Sequence, residues 1–199
     1  MEKMIILLIL LSLVFVLYQN EFAQERTEMM GFSFEAIVLP VKAHLITEPS
    51  EYYTSRRDEE NVLKLFQEVN RIWDQGGVSF RVEGVEAAQV SERAIPAAIN
   101  GNSTELQERN GKGMIHVFFT QSLNGINGIA LNEIDSILVA DDTTVNDFRA
   151  TAHELGHLLG LGHVPQEERL MARGKNGEFL AVQEILLARK NSLHFKSQR

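Results

Sequence analysis

One segment of the sequence constrains the fold more than any other. Its histidines, its glutamate and one glycine have the spacing of a helix that ends in a tight turn: His153, Glu154, His157, Gly160 and His163. Apolar residues at helical spacing surround the first two histidines, which predicts an amphipathic helix. His153 and His157 then project from the same face of that helix, one turn apart. Gly160 can adopt the left-handed conformation that ends a helix, and the chain can then bring His163 back toward the same point.

Three imidazoles at one point can bind a zinc ion, and we predict that His153, His157 and His163 are its ligands. Nitrogen ligands lie about 2.0 to 2.1 Å from zinc, a geometry that two histidines four residues apart on a helix can satisfy. Three protein ligands leave a fourth position open for water, as in catalytic zinc sites. Glu154 should face that water without ligating the metal, so we predict that it is the general base. Five fixed positions give a chance probability on the order of 10⁻⁴ in a chain of this length.

The composition excludes several other kinds of site. The chain has 199 residues, which bounds it to one domain with small appendages. It contains no cysteine, which excludes disulfides, a thiolate nucleophile and cysteine-bound zinc, so any metal must be held by His, Asp or Glu. The net charge is -8, which argues against nucleic acid as a partner because binders of phosphate backbones present a basic face.

The N-terminus has the layout of a secretory signal. Lys3 precedes an apolar run from Met4 to Tyr18, and polar residues follow. The run is shorter than the ~20 residues of a transmembrane helix, yet no small-x-small cleavage pattern follows it, so residues 1–20 are either a signal peptide or an uncleaved membrane anchor. In both cases the single domain at 21–199 should be extracytoplasmic, secreted or membrane-anchored, and should touch a membrane only through residues 4–18 if these are retained.

Hydrophobic periodicity predicts an alternation of strands and helices along the rest of the chain. A helix is expected at 58–75, where apolar residues recur at helical spacing and Gly76 and Gly77 follow. The segment 86–112 has no sustained period and predicts a long loop, with a helical turn possible within it. The motif helix should begin with Thr144 and Asp147 as an N-terminal capping pair. Strands are expected at 35–47, with a break possible at Pro40, and at 78–85, 114–120, 128–132 and 136–140.

The segment His153–His163 resembles the zinc signature of the metzincin metalloproteases, and among them it is most similar to the matrixins. Met171, within Leu170-Met171-Ala172-Arg173, matches the methionine turn of that group. The resemblance implies an α+β fold with an upper subdomain at 33–160 and a small lower subdomain at 161–199 with a final helix. The upper part would hold a twisted, mixed five-stranded sheet and two long helices, the second carrying the motif. Met171 would pack beneath the metal without ligating it, and Gly160 would support the turn.

This reading predicts a zinc-dependent endopeptidase that hydrolyses extracytoplasmic proteins or peptides. The resemblance implies an extended substrate that pairs with an edge strand formed by Gly128, Ile129, Ala130 and Leu131, while residues 171–179 wall a side-chain pocket. The alternative is a catalytically silent, zinc-containing module that binds peptides at the cell surface. The presence of Glu154 favours the enzyme. Neither the oligomeric state nor the control of latency can be predicted from these residues.

Other polar residues have weaker interpretations. Aspartates cluster near the motif helix, and the resemblance suggests a structural calcium ion (Ca²⁺) there, although acidic loops are usually only solvated. His44 and His116 lie within predicted strands and are expected to be core or surface residues rather than metal ligands. The aspartates in question are Asp135, Asp141, Asp142 and Asp147.

Overall fold

The computed structural model describes residues 35–111 and 113–197, which belong to one compact unit. The leader predicted at 1–20 and the predicted start of the domain at 21 lie outside these described residues. Among the described helices, none combines the length and the apolar character needed to cross a membrane.

Five strands form one mixed sheet, as predicted. Their order across the sheet is β2-β1-β3-β5-β4, and every neighbouring pair is parallel except β4 with β5. All residues of β3 and β5 are buried, as expected for central parallel strands that are covered on both faces. β4 therefore pairs on one side only and lies at the edge. The strands are β1 (Ile37–Thr47), β2 (Val78–Gln89), β3 (Ile115–Thr120), β4 (Gly128–Leu131) and β5 (Ser136–Ala140).

Helix α1 (Glu59–Trp73) follows β1 along the chain and packs against both β2 and the motif helix. It begins at Asp58, whose side chain accepts a hydrogen bond from the Asn61 amide while the Asn61 side chain binds the Asp58 amide. Its buried face ends at Trp73, whose indole N–H donates to the Ala152 carbonyl at 3.3 Å. Gly77, with φ of 60°, closes the short 3₁₀ turn that follows the helix.

The structure differs from the periodicity-based prediction in two places. β1 continues through Pro40, and its register with β2 shifts between Val41 and Lys42, so the irregularity is a local bulge rather than a break. The predicted loop at 86–112 contains the end of β2 and two short helices, α2 (Ala94–Ile99) and α3 (Thr104–Gln107). These helices are too short to show a hydrophobic period; α2 buries Ala94, Ile95 and Ala98 in the core, and α3 buries Leu106.

The motif helix α4 (Asp147–Leu158) is followed by a long stretch with only isolated bridges, Val164 with Ala172 and Arg169 with Phe179. The chain then ends its described part in the expected final helix, α5 (Val182–Ser197). α5 packs against β1, and the Arg189 side chain donates to the Gly76 carbonyl at 2.7 Å. The polypeptide between α4 and α5 is thus anchored at both ends, because α4 packs against β4 and β5 and α5 packs against β1.

Candidate metal centre and cleft

The motif helix α4 begins at Asp147, and its N-cap is Asn146, two residues after the predicted Thr144 and without a side-chain hydrogen bond. The predicted capping pair does not form. The Thr144 amide instead donates to the Asn127 side chain at 2.7 Å, and Asp147 accepts from Arg57 at 2.9 Å. Tertiary contacts from the segments just before β4 and α1 therefore determine where the helix starts, in place of a local cap.

Two histidines of α4 are held in a defined tautomer by backbone carbonyls. His153 Nδ1 lies 2.7 Å from the Leu170 oxygen, and His157 Nδ1 lies 2.8 Å from the Leu161 oxygen. A carbonyl can only accept, so both Nδ1 atoms must carry the proton. Each Nε2 is then left with a lone pair, which is the state required for metal binding.

The three Nε2 atoms converge on one point. His163 Nε2 lies 3.2 Å from the Nε2 of His153 and 3.2 Å from that of His157. Two nitrogens bound tetrahedrally to zinc are expected roughly 3.3 Å apart, so the spacing fits the ion. Hydrogen bonds alone would not satisfy three such atoms, because only His163 could supply a proton. Within residues 35–111 and 113–197, this is the one group of three or more His, Asp or Glu side chains with metal-ligand geometry.

Gly160 makes this convergence possible. Its φ is 83°, in the left-handed region where glycine is favoured, and the Leu161 amide returns to the Gly156 carbonyl at 2.9 Å. The chain reverses there and presents His163, which is exposed, to the buried His153.

Met171 forms the apolar floor of the centre. Its side chain is fully buried, and a Cβ added at Gly156 would lie 2.6 Å from the Met171 sulfur. Gly156 sits between the two helical histidines, so the methionine packs directly behind them. Met171 thus contacts the helix that carries two of the histidines, and its place beneath a bound metal stays a prediction.

Glu154 is buried against the edge strand. Only 7% of its surface is exposed, and a Cβ at Gly128 would lie 2.6 Å from its Cγ. Burial raises the pKa of Glu154 to about 7, while the charge of Arg149 and a hydrogen bond from the Ala130 backbone oppose that rise. The carboxylate therefore lies between the metal centre and β4.

A cleft of about 750 Å³ runs between β4 and α4. Gly128, Ile129 and Ala130 line it, whereas Leu131 is buried in the core cluster and does not. Within the predicted wall at 171–179, the cleft is lined by Arg173 and Gly174. The three histidines and Glu154 lie along the same cleft.

Arg149 is a residue of this site that periodicity did not identify. It lies one helical turn before His153, is 2% exposed, and donates to the carbonyls of Leu170, Ala172 and Gly177. Burial lowers the pKa of Arg149 to about 10, which leaves the guanidinium charged at neutral pH. A signal was present in the sequence, because a charged residue four positions before a metal ligand shares the buried face of the helix.

Two of the four candidate calcium ligands already have a cationic partner. Asp141 accepts from Arg57 Nε at 2.8 Å and from the Arg56 amide at 2.7 Å, and Asp147 accepts from Arg57 Nη1 at 2.9 Å. Asp135 occupies a left-handed turn with φ of 49°. Calcium binding by these aspartates and Asp142 stays an untested prediction.

His44 and His116 lie in the core, away from the zinc histidines. His44 Nε2 is 2.8 Å from His116 Nδ1, and His116 Nε2 is 3.0 Å from the Gly111 oxygen. The His44 ring also stacks on Phe118. Burial lowers the pKa of His44 to about 4 and also lowers that of His116.

A mixed five-stranded sheet with a histidine centre beneath its antiparallel edge is the architecture of a metzincin-type zinc metalloprotease. The model of the matrixin family, peptidase family M10, matches residues 50–179. The chain therefore belongs to the matrixin family and is a zinc-dependent metalloprotease. A comparison with curated protein sequences gives no significant match.

Solved structures with the same fold are distant in sequence. Mature mirolysin from Tannerella forsythia, in complex with a cleaved peptide, is 11% identical with a TM-score of 0.61, and the match covers 82% of this chain and 96% of mirolysin. A chaperone-substrate complex is 14% identical with a TM-score of 0.55, covering 83% of this chain and 35% of that one. Metalloproteinase-II from Bacteroides fragilis is 14% identical with a TM-score of 0.48, covering 80% and 55%. For mirolysin and the chaperone-substrate complex, whose TM-scores exceed 0.5, the likeness shows the fold alone.

Proposed function

We propose that this matrixin is an endopeptidase that hydrolyses peptide bonds of extracytoplasmic proteins, with Glu154 as the general base. The observation that carries the proposal is the common cleft, in which three Nε2 atoms, the Glu154 carboxylate and the edge of β4 lie together. Zinc, when bound by the three histidines, polarises a carbonyl and lowers the pKa of water toward ~7. The apolar run at 4–18 supports the extracytoplasmic location.

Glu154 is positioned to transfer protons at the scissile bond. Its carboxylate is held by the Ala130 backbone and lies beside Gly128, where the absence of a side chain leaves it room. It accepts a proton from the attacking water and donates it to the leaving amine. An amide at this position would keep the shape but could not accept the proton.

The edge of β4 supplies the binding surface for the main chain of the substrate. β4 pairs with β5 only, and the half-buried residues Gly128–Ala130 line the cleft. An extended peptide can add to such an edge through main-chain hydrogen bonds, which give affinity with little sequence demand. The peptide bound to mirolysin supports a peptide substrate for this fold.

The test compares the zinc-loaded protein with its Glu154→Gln variant on casein and on internally quenched peptides, with and without a chelator. We expect cleavage by the wild type that the chelator abolishes and zinc restores. The variant should keep its zinc and lose at least about a hundredfold in kcat. Glu92→Gln, at an exposed position before α2, is the matched control and should cleave normally.

A silent peptide-binding module at the cell surface predicts a different result. Such a protein would bind zinc and peptide and release the peptide intact. N-terminal sequencing of the exported protein tests the location separately, because it reports both export and cleavage of the leader.

A further inference from the structure

Arg149 carries a buried positive charge whose hydrogen-bond acceptors are all uncharged, and the buried Glu154 acts on it only from beyond ion-pair distance. Its Nε and Nη2 groups donate to three backbone carbonyls, which are neutral acceptors. No carboxylate in residues 35–111 or 113–197 lies within ion-pair distance of its guanidinium. Proteins seldom bury a charge without pairing it, and exceptions concentrate at functional sites.

One edge of the guanidinium is left for a group from outside. No described residue accepts a hydrogen bond from Arg149 Nη1, while the residue lines the cleft. The Nε and Nη2 edges are already directed at the polypeptide around 170–177. Nη1 is therefore the donor available to an occupant of the cleft.

Positive side chains outnumber negative ones along the cleft. Arg149 and Arg173 line it, and Glu154 is its one carboxylate among the described residues. A divalent metal would add further positive charge. The whole chain has a net charge of -8, so a positive cleft is a local feature that overall composition does not explain.

We propose that Arg149 determines specificity by binding a carboxylate of the substrate, so that cleavage favours peptides with Asp or Glu next to the scissile bond. This inference rests on the proposed peptidase function. Arg149 lies one helical turn, about 6 Å, before the ligand His153, which limits its reach to a residue that flanks the reacting bond. The Nη1 group can donate a charge-assisted hydrogen bond to a carboxylate, and the low exposure of the site strengthens the pair.

The first arm of the experiment uses the wild-type, zinc-loaded chain. Quenched peptides that differ only by Glu against Gln, or Asp against Asn, at either position flanking the cleaved bond are compared by kcat/KM. We expect the carboxylate peptide to be preferred at least about tenfold at one of the two positions. Each peptide is made with a free and an amidated C-terminus, because a terminal carboxylate could also bind Arg149. A preference that follows the free terminus alone, or a ratio near one, overturns the side-chain specificity.

The second arm assigns the preference to Arg149. Arg149→Gln should reduce the Glu/Gln ratio to near one mainly by slowing the Glu peptide, and Arg149→Lys should retain part of the ratio. Arg81→Gln removes an exposed arginine at the opposite edge of the sheet and should leave the ratio unchanged. If Arg149→Gln is folded and keeps the wild-type ratio, Arg149 is not the determinant.

Two further measurements keep the outcomes distinct. Dissociation constants of the same peptides with zinc-loaded Glu154→Gln should show the same preference without turnover, so a silent binding module would still reveal it. If both Arg149 variants fail to fold, the salt dependence of the wild-type Glu/Gln ratio decides. A ratio that persists at high salt indicates a buried pair with Arg149. A ratio that falls to near one at high salt indicates that the preference comes only from the exposed Arg173, and it overturns the assignment. Absence of all cleavage refutes the proposed function, while equal cleavage of the paired peptides refutes only this inference.

Discussion

A single methyl group at Gly128 should disable the enzyme while leaving its metal centre intact. A Cβ at this position would lie 2.6 Å from Glu154 Cγ and 3.2 Å from both Cδ and Oε1. Ordinary contact begins at 3.4 Å, so the side chain or β4 must move by at least 0.8 Å, the difference between 3.4 and 2.6 Å. The φ of Gly128 is outside the left-handed region, so the effect is steric rather than a backbone preference.

The displacement acts on the group proposed to move protons. A shift of about 1 Å in a catalytic group can cost about a hundredfold in rate, and overpacking of this kind costs about 1 to 3 kcal/mol of unfolding free energy. We therefore expect Gly128→Ala to lower kcat by about a hundredfold and to keep full zinc content, because the three atoms nearest the new methyl group all belong to Glu154 and not to a zinc ligand. Quenched-peptide kinetics, metal analysis and denaturant unfolding measure the three quantities.

Gly84→Ala is the matched control for Gly128→Ala. Gly84 is also a strand glycine, but it lies in β2 at the other edge of the sheet, and the atoms nearest its added Cβ belong to the end of the Lys42 side chain, with Nζ at 3.2 Å. This variant should cleave like the wild type. Wild-type turnover by Gly128→Ala would refute the reasoning, since it would mean that Glu154 is not confined by β4 or is not the base.

Three further predictions follow from the same contacts. His163→Ala should remove most of the zinc although His163 is exposed, because two imidazoles hold the ion far more weakly than three; metal analysis showing stoichiometric zinc would contradict this. Met171→Ala should keep zinc but lower the unfolding free energy by about 2 to 5 kcal/mol, measured by denaturant titration, and an unchanged stability would mean that its packing behind Gly156 is not important. The pKa of His44 is about 4 in the folded state against 6.5 ordinarily, so as the pH falls the unfolded state binds a proton before the folded state does. The free energy of unfolding therefore keeps its full His44 contribution above pH 6.5 and loses it as the pH falls toward 4. The loss amounts to about 3 kcal/mol, and His44→Leu/His116→Leu should show a correspondingly smaller fall in unfolding free energy between pH 7 and pH 4.

The parts of the structure that the sequence predicted are those whose geometry is local or periodic. His153 and His157 share a helix, so their relation depends only on helical spacing, and Gly160 marks the turn that follows. The sheet could be anticipated because β3 and β5 are short apolar runs, typical of buried parallel strands. The start of α4 could not, because Asn127 and Arg57 lie far from Thr144 and Asp147 in sequence and replace the expected cap.

Arg149 shows most clearly why the rest of the site needed the structure. A charged residue on a helix is usually exposed, and its carbonyl partners lie more than twenty residues later at Leu170, Ala172 and Gly177, where no side-chain pattern indicates that the backbone will accept. The Leu170 carbonyl accepts from Arg149 and also faces His153 Nδ1. One backbone oxygen thus orients a metal ligand and the cleft arginine together, so a displacement of this loop would disturb metal binding and substrate preference at once.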